Sequence, residues 1–472
     1  MTTISTDLNT KTSTIVLQSV VSSVGMKEVL QVQVGQFGNQ AGALYWDTLY
    51  RDLGLHLETE RTLHDRTSVF FTEERETSGS VRYRPRSVLV DLEPGVVERV
   101  VRSTFRPENC VTSQCGAANN WARAYHGAGA EVMVRVEDVV RREVERSDLL
   151  QGFQLCHSVG GGTGSGLGSL LAESVSDQYP GRMIHTTSLL PSNTVTTSLL
   201  EPYNAGLNLR HLLQHSHVVV CGDNGALSNI CSRHLHISRP SYSHLNSLLA
   251  RMMTDLSLLT DLRKMAVSLV PRPRLHFLVP SLAPVTSLQG EQVEAMALIR
   301  EMFDGGTVLA DCDLRRGRFL TVSTVVRGGM SVMELGQHIS HLVDRRSQDF
   351  VPWIPDNVII NTHQAEELSG TMVGNSTAIV QPLRSISSTF RQMFRRRAFL
   401  HYYTAEGTEE AEFVEALSEM DSLVLEYEVS QEITDDVGEI SEEDADDISE
   451  ISEKLAEDLS KFSQDDSDDV SE

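Results

Sequence analysis

Residues 158–171 read SVGGGTGSGLGSLL, six glycines within nine positions followed at once by a leucine-rich run. Glycine loses more backbone entropy on folding than any other residue, so such density marks a place where the backbone itself needs room. The preceding FQLCHSV reads as a buried strand, and Leu167, Leu170, Leu171 and Val175 space as one helix face before Pro180 stops it. Strand, glycine loop and helix in that order form a cradle in which backbone N–H groups and a helix N-terminus can hold phosphate. The usual phosphate loop also carries a lysine. The lysines here are Lys11, Lys27, Lys264, Lys454 and Lys461, so none lies between 28 and 263. A G-x-x-x-x-G-K-[ST] loop is therefore excluded there, and the run fits G-x-G-x-x-G in no register. Kinases, P-loop motors and standard dinucleotide enzymes lose their support.

The same arrangement recurs. Leu30, Val32 and Val34 alternate with Gln31 and Gln33 as a strand, which enters GQFGNQ and then a helical pattern from Ala41 through Trp46. RSVLVDLEPG is a third strand, ending in two acids and a proline suited to a helix's first turn. Repeats of this kind predict an α/β fold with a parallel sheet and its loops gathered at the strands' C-terminal edge, where ligands bind. From about Met265 the texture changes. RLHFLVP and RFLTVSTVVRG read as strands of a second, mixed domain, and a helix is predicted from Ser376. Phe413, Leu417, Met420, Val424 and Tyr427 then mark an amphipathic helix.

Charge narrows the partners. The chain of 472 residues carries a net charge of −25, and from Gln431 onward 18 acids face two lysines. Nucleic-acid binding needs basic surface, so it is not expected; the one dense basic cluster, FRRRAF at 394–399, reads as a solvated helix end. No apolar run reaches the length of a membrane span. Residues 1–25, with a modest apolar run from Ile15 to Val24, read as a disordered leader. Six cysteines without C-x-x-C spacing read as free thiols of a reducing compartment, hence a cytosolic protein.

Several groups converge on the predicted ligand edge. With no lysine there, a triphosphate must be met by the amides from Gly160 to Gly166, a helix N-terminus and a metal ion. Gln36 can bond phosphate oxygens or a Mg²⁺-bound water. Asp91 and Glu93 of DLEPG are placed to hold Mg²⁺, and GAANNWA offers Asn119 and Asn120 to a terminal phosphate.

Read in order, VQVGQFGNQ, LVDLEPG, NNWA, GGGTGSGLG, EPYNA, LVPRPRLHF, VGNSTAI and FRRRAFLHYYTAEG resemble the tubulin superfamily from Met26 to about Tyr427. The resemblance implies a Rossmann-like parallel-sheet GTP-binding domain (26–240), a core helix region (241–264), a mixed α+β intermediate domain (265–375), C-terminal helices (376–430) and an acidic tail (431–472). GTP/GDP and Mg²⁺ are the implied ligands. Gln36, Glu93, Asn119, Gly160, Gly161, Gly162, Thr163 and Gly164 match the family's phosphate and Mg²⁺ positions, Glu93 being the metal-side residue. Glu201 matches a ribose contact, and Asn204 and Asn224 sit where the family reaches ribose and guanine. Tyr242 matches the residue stacked on the base, and Asn246 the amide that reads its edge, being both donor and acceptor.

Departures matter more for function. Phe37 replaces a usual cysteine, Ala118 a usual glycine, and Thr197 an aspartate of the ribose side. No proline or glycine stands between Tyr242 and Pro271, where the family has a loop with Pro-Gly and Leu-Asn-X-Asp that reaches the neighbouring subunit's nucleotide. Lys264 stands where alpha tubulin carries a water-activating glutamate and beta tubulin a lysine, and a cation cannot serve as general base. TSLQGEQVEAMALIREMFD looks shorter than beta tubulin's lateral-contact loop. These departures imply a divergent tubulin that caps, nucleates or decorates; GFQLCHS and RHLHI resemble gamma tubulin and LRKMAVSLVP beta, a mixed pattern similar to the minor tubulins of centrioles and basal bodies, zeta first, with other tubulins or centriole proteins as partners. The alternative is a beta-like subunit polymerising with alpha tubulin. No catalytic residue is expected in the chain itself.

HLLQHSH puts His211 and His215 on one helix face, with His217 beyond, but no further ligand of standard spacing follows. No metal site beyond Mg²⁺ is expected. The tail reads as a disordered, modifiable brush, with Ser441, Ser463 and Ser467 ahead of acids. Ile448, Ile451, Leu455, Leu459 and Phe462 alternatively space as an amphipathic helix that could dock on a partner.

Overall fold

The computed structural model describes residues 15–17, 27–55, 67–75, 81–101, 104–192, 195, 198–259, 261–284, 295–328, 330–354, 357–363 and 368–433. Thr197, the lateral-contact segment before Ala295 and the acidic tail lie outside the described residues.

Six strands lie parallel in the order Cys110–Thr112, Ser87–Asp91, Glu28–Val34, Leu150–Ser158, Met183–Leu190, Val218–Asp223. The reason is visible in the burial: Glu28–Val34 and Ser87–Asp91 are buried along their whole length, as strands covered on both faces must be. One face is covered by helices Ala128–Glu145 and Gly162–Gln178, which contribute Val132, Val136, Val140, Leu167, Leu171 and Val175. The other face receives helix Gly35–Asp52 and the core helix Tyr242–Leu259, joined by the Tyr45 hydroxyl to Ser257 Oγ at 3.1 Å.

The second half is not a separate sheet. Phe277–Ala283 pairs in parallel with Val218–Asp223 and antiparallel with Ser369–Ser376, and Phe319–Arg327, Val358–His363 and Ile15–Leu17 continue the same eleven-stranded sheet. The strand expected within RLHFLVP thus begins only at Phe277, because Arg272–Leu275 forms a turn that the Leu275 N–H closes on the Arg272 carbonyl. The disordered-leader expectation fails at one place: Ile15–Leu17 pairs with Val358–Ile360 at the sheet's edge. An apolar β-rich triplet beside an open edge satisfies its backbone groups there.

The core helix, Tyr242–Leu259, lies within the expected core helix region 241–264. Asp261 starts a new helix, Leu262–Leu269, its side chain accepting from the Arg263 and Lys264 N–H groups. Ser376 ends a strand and caps a short 3₁₀ turn, so the helix predicted from Ser376 begins at Val380. Phe413, Leu417, Met420, Val424 and Tyr427 are buried on helix Glu410–Glu432, which packs with Val380–Arg395 over helix Glu201–His215. All six cysteines are free.

Candidate functional site

The loops after Glu28–Val34, Ser87–Asp91, Leu150–Ser158 and Val218–Asp223 all leave the sheet at its C-terminal edge. The glycine loop follows Ser158, and its helix begins at Gly162 with extended Gly161 as N-cap. Ser165 N–H makes the first helical bond, to the Gly161 carbonyl at 3.3 Å. The Gly162, Thr163 and Gly164 amides therefore head the helix, where a dipole and unpaired N–H groups attract an anion. Gly161 and Thr163 are half exposed.

The glycines serve two purposes that the sequence does not separate. A β-carbon on Gly162 would lie 2.7 Å from the Asn120 nitrogen, on Gly164 2.7 Å from the Ser158 carbonyl oxygen, and on Gly166 2.3 Å from the Trp121 carbonyl oxygen. These three let the chain approach itself. A β-carbon on Gly161 would meet only Ser158 Oγ, at 3.1 Å. Gly160 faces Glu201, whose Cγ would be 3.2 Å from an added β-carbon.

Asn119 and Asn120, read as a pair, have different places. Asn119 is exposed at φ 55° beside Ala118 at φ 50°. Asn120 is buried, accepting from the Ala122 N–H and donating to the Tyr402 carbonyl at 2.8 Å. Asn120 is thus a support of the loop and only Asn119 faces the cleft.

Asn204 is a correction of the same kind. It is fully buried and its amide is saturated by protein. It donates to the Asn119 and Gly160 carbonyls at 2.8 and 2.9 Å, and accepts from Trp121 N–H at 2.9 Å and the Tyr403 hydroxyl at 2.7 Å. It binds the asparagine loop to the glycine loop, and no donor or acceptor remains for a ribose. Glu201 opens the same helix and accepts from the Ser198 N–H at 3.2 Å.

On the opposite side of the cleft, Gln36 is exposed in the first turn of helix Gly35–Asp52, which starts inside GQFGNQ and not at Ala41. Glu93 is exposed as N-cap of Pro94–Val100, its carboxylate lying over Gly116 of the asparagine loop. Asp91 is buried at the strand end, and desolvation with Glu93 nearby raises its pKa to about 6. A buried carboxylate beside an exposed one is a donor set a cation would relieve, so the pair fits Mg²⁺, Asp91 acting through water.

Asn224 follows Asp223, which caps helix Asn224–Arg233 by accepting from Ala226 N–H at 2.8 Å. Its Oδ1 is buried without a hydrogen-bond partner. An orphaned acceptor at a cleft is costly until a ligand donor meets it. Tyr242, 52% exposed, opens the core helix, and Asn246 one turn later is buried with its amide 3.5 Å from Gln40 Oε1.

Two residues escaped the sequence reading. Gln40 stands four residues after Gln36, and that helical spacing was its signal. His157 is buried under the glycine loop, with Nδ1 donating to the Gly164 carbonyl at 2.9 Å and Nε2 2.9 Å from Ser188 Oγ. Burial lowers its pKa to about 4, so it is a neutral strut. Nothing in FQLCHSV distinguishes it from any core histidine.

Among the described residues the cleft thus joins a helix-headed amide cradle, exposed Gln36, Asn119 and Glu93, an orphaned Asn224 acceptor and an exposed aromatic ring. That combination can hold a nucleotide by its phosphates, sugar and base without lysine. Comparison with known families agrees. The model of the Tubulin/FtsZ family GTPase domain matches residues 28–232, and that of the tubulin C-terminal domain matches residues 273–388.

Proposed function

The chain belongs to the tubulin superfamily, and from that premise we propose that it is a GTP-binding cytoskeletal protein that caps, nucleates or decorates microtubules without forming their bulk. GTP/GDP binding comes with the GTPase domain. In our reading the helix-capping amides of Gly162, Thr163 and Gly164 hold the phosphates, with Gln36 and Asn119 around them. Glu93 holds Mg²⁺ directly and Asp91 through water. Mg²⁺, when bound, neutralises phosphate charge that no lysine meets. Asn224 serves the sugar, Tyr242 stacks on the base, and Asn246 with Gln40 reads its edge.

The observation that carries the capping role is the spacing of two helices, one ending at Leu259 and the next beginning at Leu262. Helix Tyr242–Leu259 and helix Leu262–Leu269 lie two residues apart in the sequence, and Lys264 is exposed in the second helix's first turn. A face without that loop, and with a cation in place of a carboxylate, cannot activate water on a neighbour's nucleotide. Any GTP hydrolysis then depends on acidic groups of a neighbouring subunit. Other tubulins are the natural partners, in the cytoplasmic cytoskeleton, and a centriolar or basal-body site with zeta-like character fits a subunit of this kind.

The test is addition of the purified chain, at a small fraction of the tubulin concentration, to growing microtubules. The expected result is arrest or seeding at one end, one bound guanine nucleotide per chain, and negligible GTP turnover by the chain alone. Co-assembly along the whole lattice with accelerated GTP hydrolysis would establish the beta-like alternative instead. Nucleotide extracts devoid of GDP and GTP would overturn both.

A further inference from the structure

Away from the nucleotide cleft, helices Gly162–Gln178 and Glu201–His215 lie side by side. At their contact Glu173, His211 and His215 bring three potential ligand atoms within 4.8 Å of one another. His211 and His215 are one helical turn apart with rings 6.0 Å apart and nearly parallel. Spacing alone offered two ligands and no third. The third comes from another helix, 38 residues earlier in the chain, which no sequence motif would reveal.

We propose that Glu173, His211 and His215 form a Zn²⁺ site, with a water molecule as fourth ligand. Three features of the cluster support it. His211 Nδ1 is buried without a hydrogen-bond partner and lies 3.8 Å from Glu173 Oε2, too far for a hydrogen bond and close enough for both to share an ion. Zinc bonds of 2.0–2.2 Å in a tetrahedron set ligands roughly 3.3–3.5 Å apart, so the cluster closes with small side-chain rotations. The carboxylate is already oriented: the Tyr125 hydroxyl donates to Glu173 Oε2 at 2.5 Å, the second-layer support usual around metal ligands. Tyr125 itself sits in a π-helical turn, Arg123–Gly127, and stacks on Trp121 with centroids 4.5 Å apart.

The donor set also fits the metal. Arg210, the residue before His211, is paired with Glu415 at 2.5 Å and Glu419 at 3.7 Å on helix Glu410–Glu432. Two imidazoles and one carboxylate favour zinc over Mg²⁺ or Ca²⁺, which prefer all-oxygen sites. His215 is only half-buried, which leaves the fourth position open to water. Bound zinc would clamp the glycine-loop helix to its neighbour without touching the nucleotide.

The experiment uses the full chain with its nucleotide, stripped with chelator and dialysed against Zn²⁺ alone. Metal analysis and X-ray absorption at the zinc edge should find one zinc per chain, with two-imidazole scattering and light-atom ligands. His215→Ala and Glu173→Gln should each weaken zinc binding by about tenfold or more, with guanine-nucleotide content unchanged. Absence of bound zinc, a sulfur or all-oxygen shell, or undiminished affinity in both variants would overturn the proposal. Where a variant loses its nucleotide, the absorption spectrum of the unaltered chain decides.

Discussion

Asn204→Ala removes the amide that ties the asparagine loop to the glycine loop. Four hydrogen bonds disappear, two donated and two accepted, in a place sealed from water. At about 1 kcal/mol net for each, the loss is about 4 kcal/mol, a large part of a domain's whole stability. Asn204→Asp is the sharper perturbation. It keeps the shape and both acceptor functions, toward Trp121 and Tyr403, but sets an oxygen against the Asn119 and Gly160 carbonyls. Only the loop-to-loop half of the network is then lost. Urea denaturation should show both variants destabilised, and titration of the folded protein with a fluorescent GTP analogue should show affinity reduced by about tenfold or more, which is about 1.4 kcal/mol. Destabilisation with full affinity in the folded fraction would refute the positioning role and reduce Asn204 to a packing residue. An unchanged urea midpoint would refute the network itself.

Ala118→Gly should stabilise the chain by up to about 1 kcal/mol, since alanine at φ 50° pays a left-handed penalty that glycine avoids, partly offset by unfolded-state entropy; a urea midpoint measures it. Gly166→Ala should abolish the native fold by circular dichroism, because the new carbon meets the Trp121 carbonyl oxygen at 2.3 Å, whereas Gly161→Ala should fold and only weaken GTP binding. His157 is neutral in the folded chain, with its pKa lowered from 6.5 to about 4 by burial. The unfolded chain therefore takes up more protons there between those values, and stability from this residue is lost as pH falls through that window. The stability advantage of the unaltered chain over His157→Asn, measured by denaturant midpoints, should accordingly shrink from pH 7 to pH 4.

Much of the fold was legible because periodicity and punctuation are local. Alternation in Leu30–Val34, the acids and proline after Val90, and the apolar spacing from Phe413 to Tyr427 each dictate an element whatever lies around them. The lysine-free glycine run likewise dictated a phosphate cradle made from backbone, and exposed Gln36, Asn119 and Glu93 stand at its edge. What local pattern could not decide is which polar groups spend their hydrogen bonds inside the protein. Asn119 and Asn120 are adjacent, yet one faces the cleft and the other holds Tyr402. Asn204 and Asn224 looked equivalent, but the first is saturated by four partners and the second keeps an orphaned oxygen.

The glycines divide the same way. Composition requires that the backbone needs room, and only the packed structure tells that Gly162, Gly164 and Gly166 yield it to neighbouring chain while Gly161 leaves it open. In the Glu173, His211 and His215 cluster the histidine spacing is local, but Glu173 joins it only because two helices meet. Sequence by itself determined the elements, their order and the chemistry available, because these follow from residue type and spacing. Tertiary structure alone decided which groups are spent and which are free, because hydrogen-bond satisfaction and van der Waals contact depend on residues far apart in the chain and close in space.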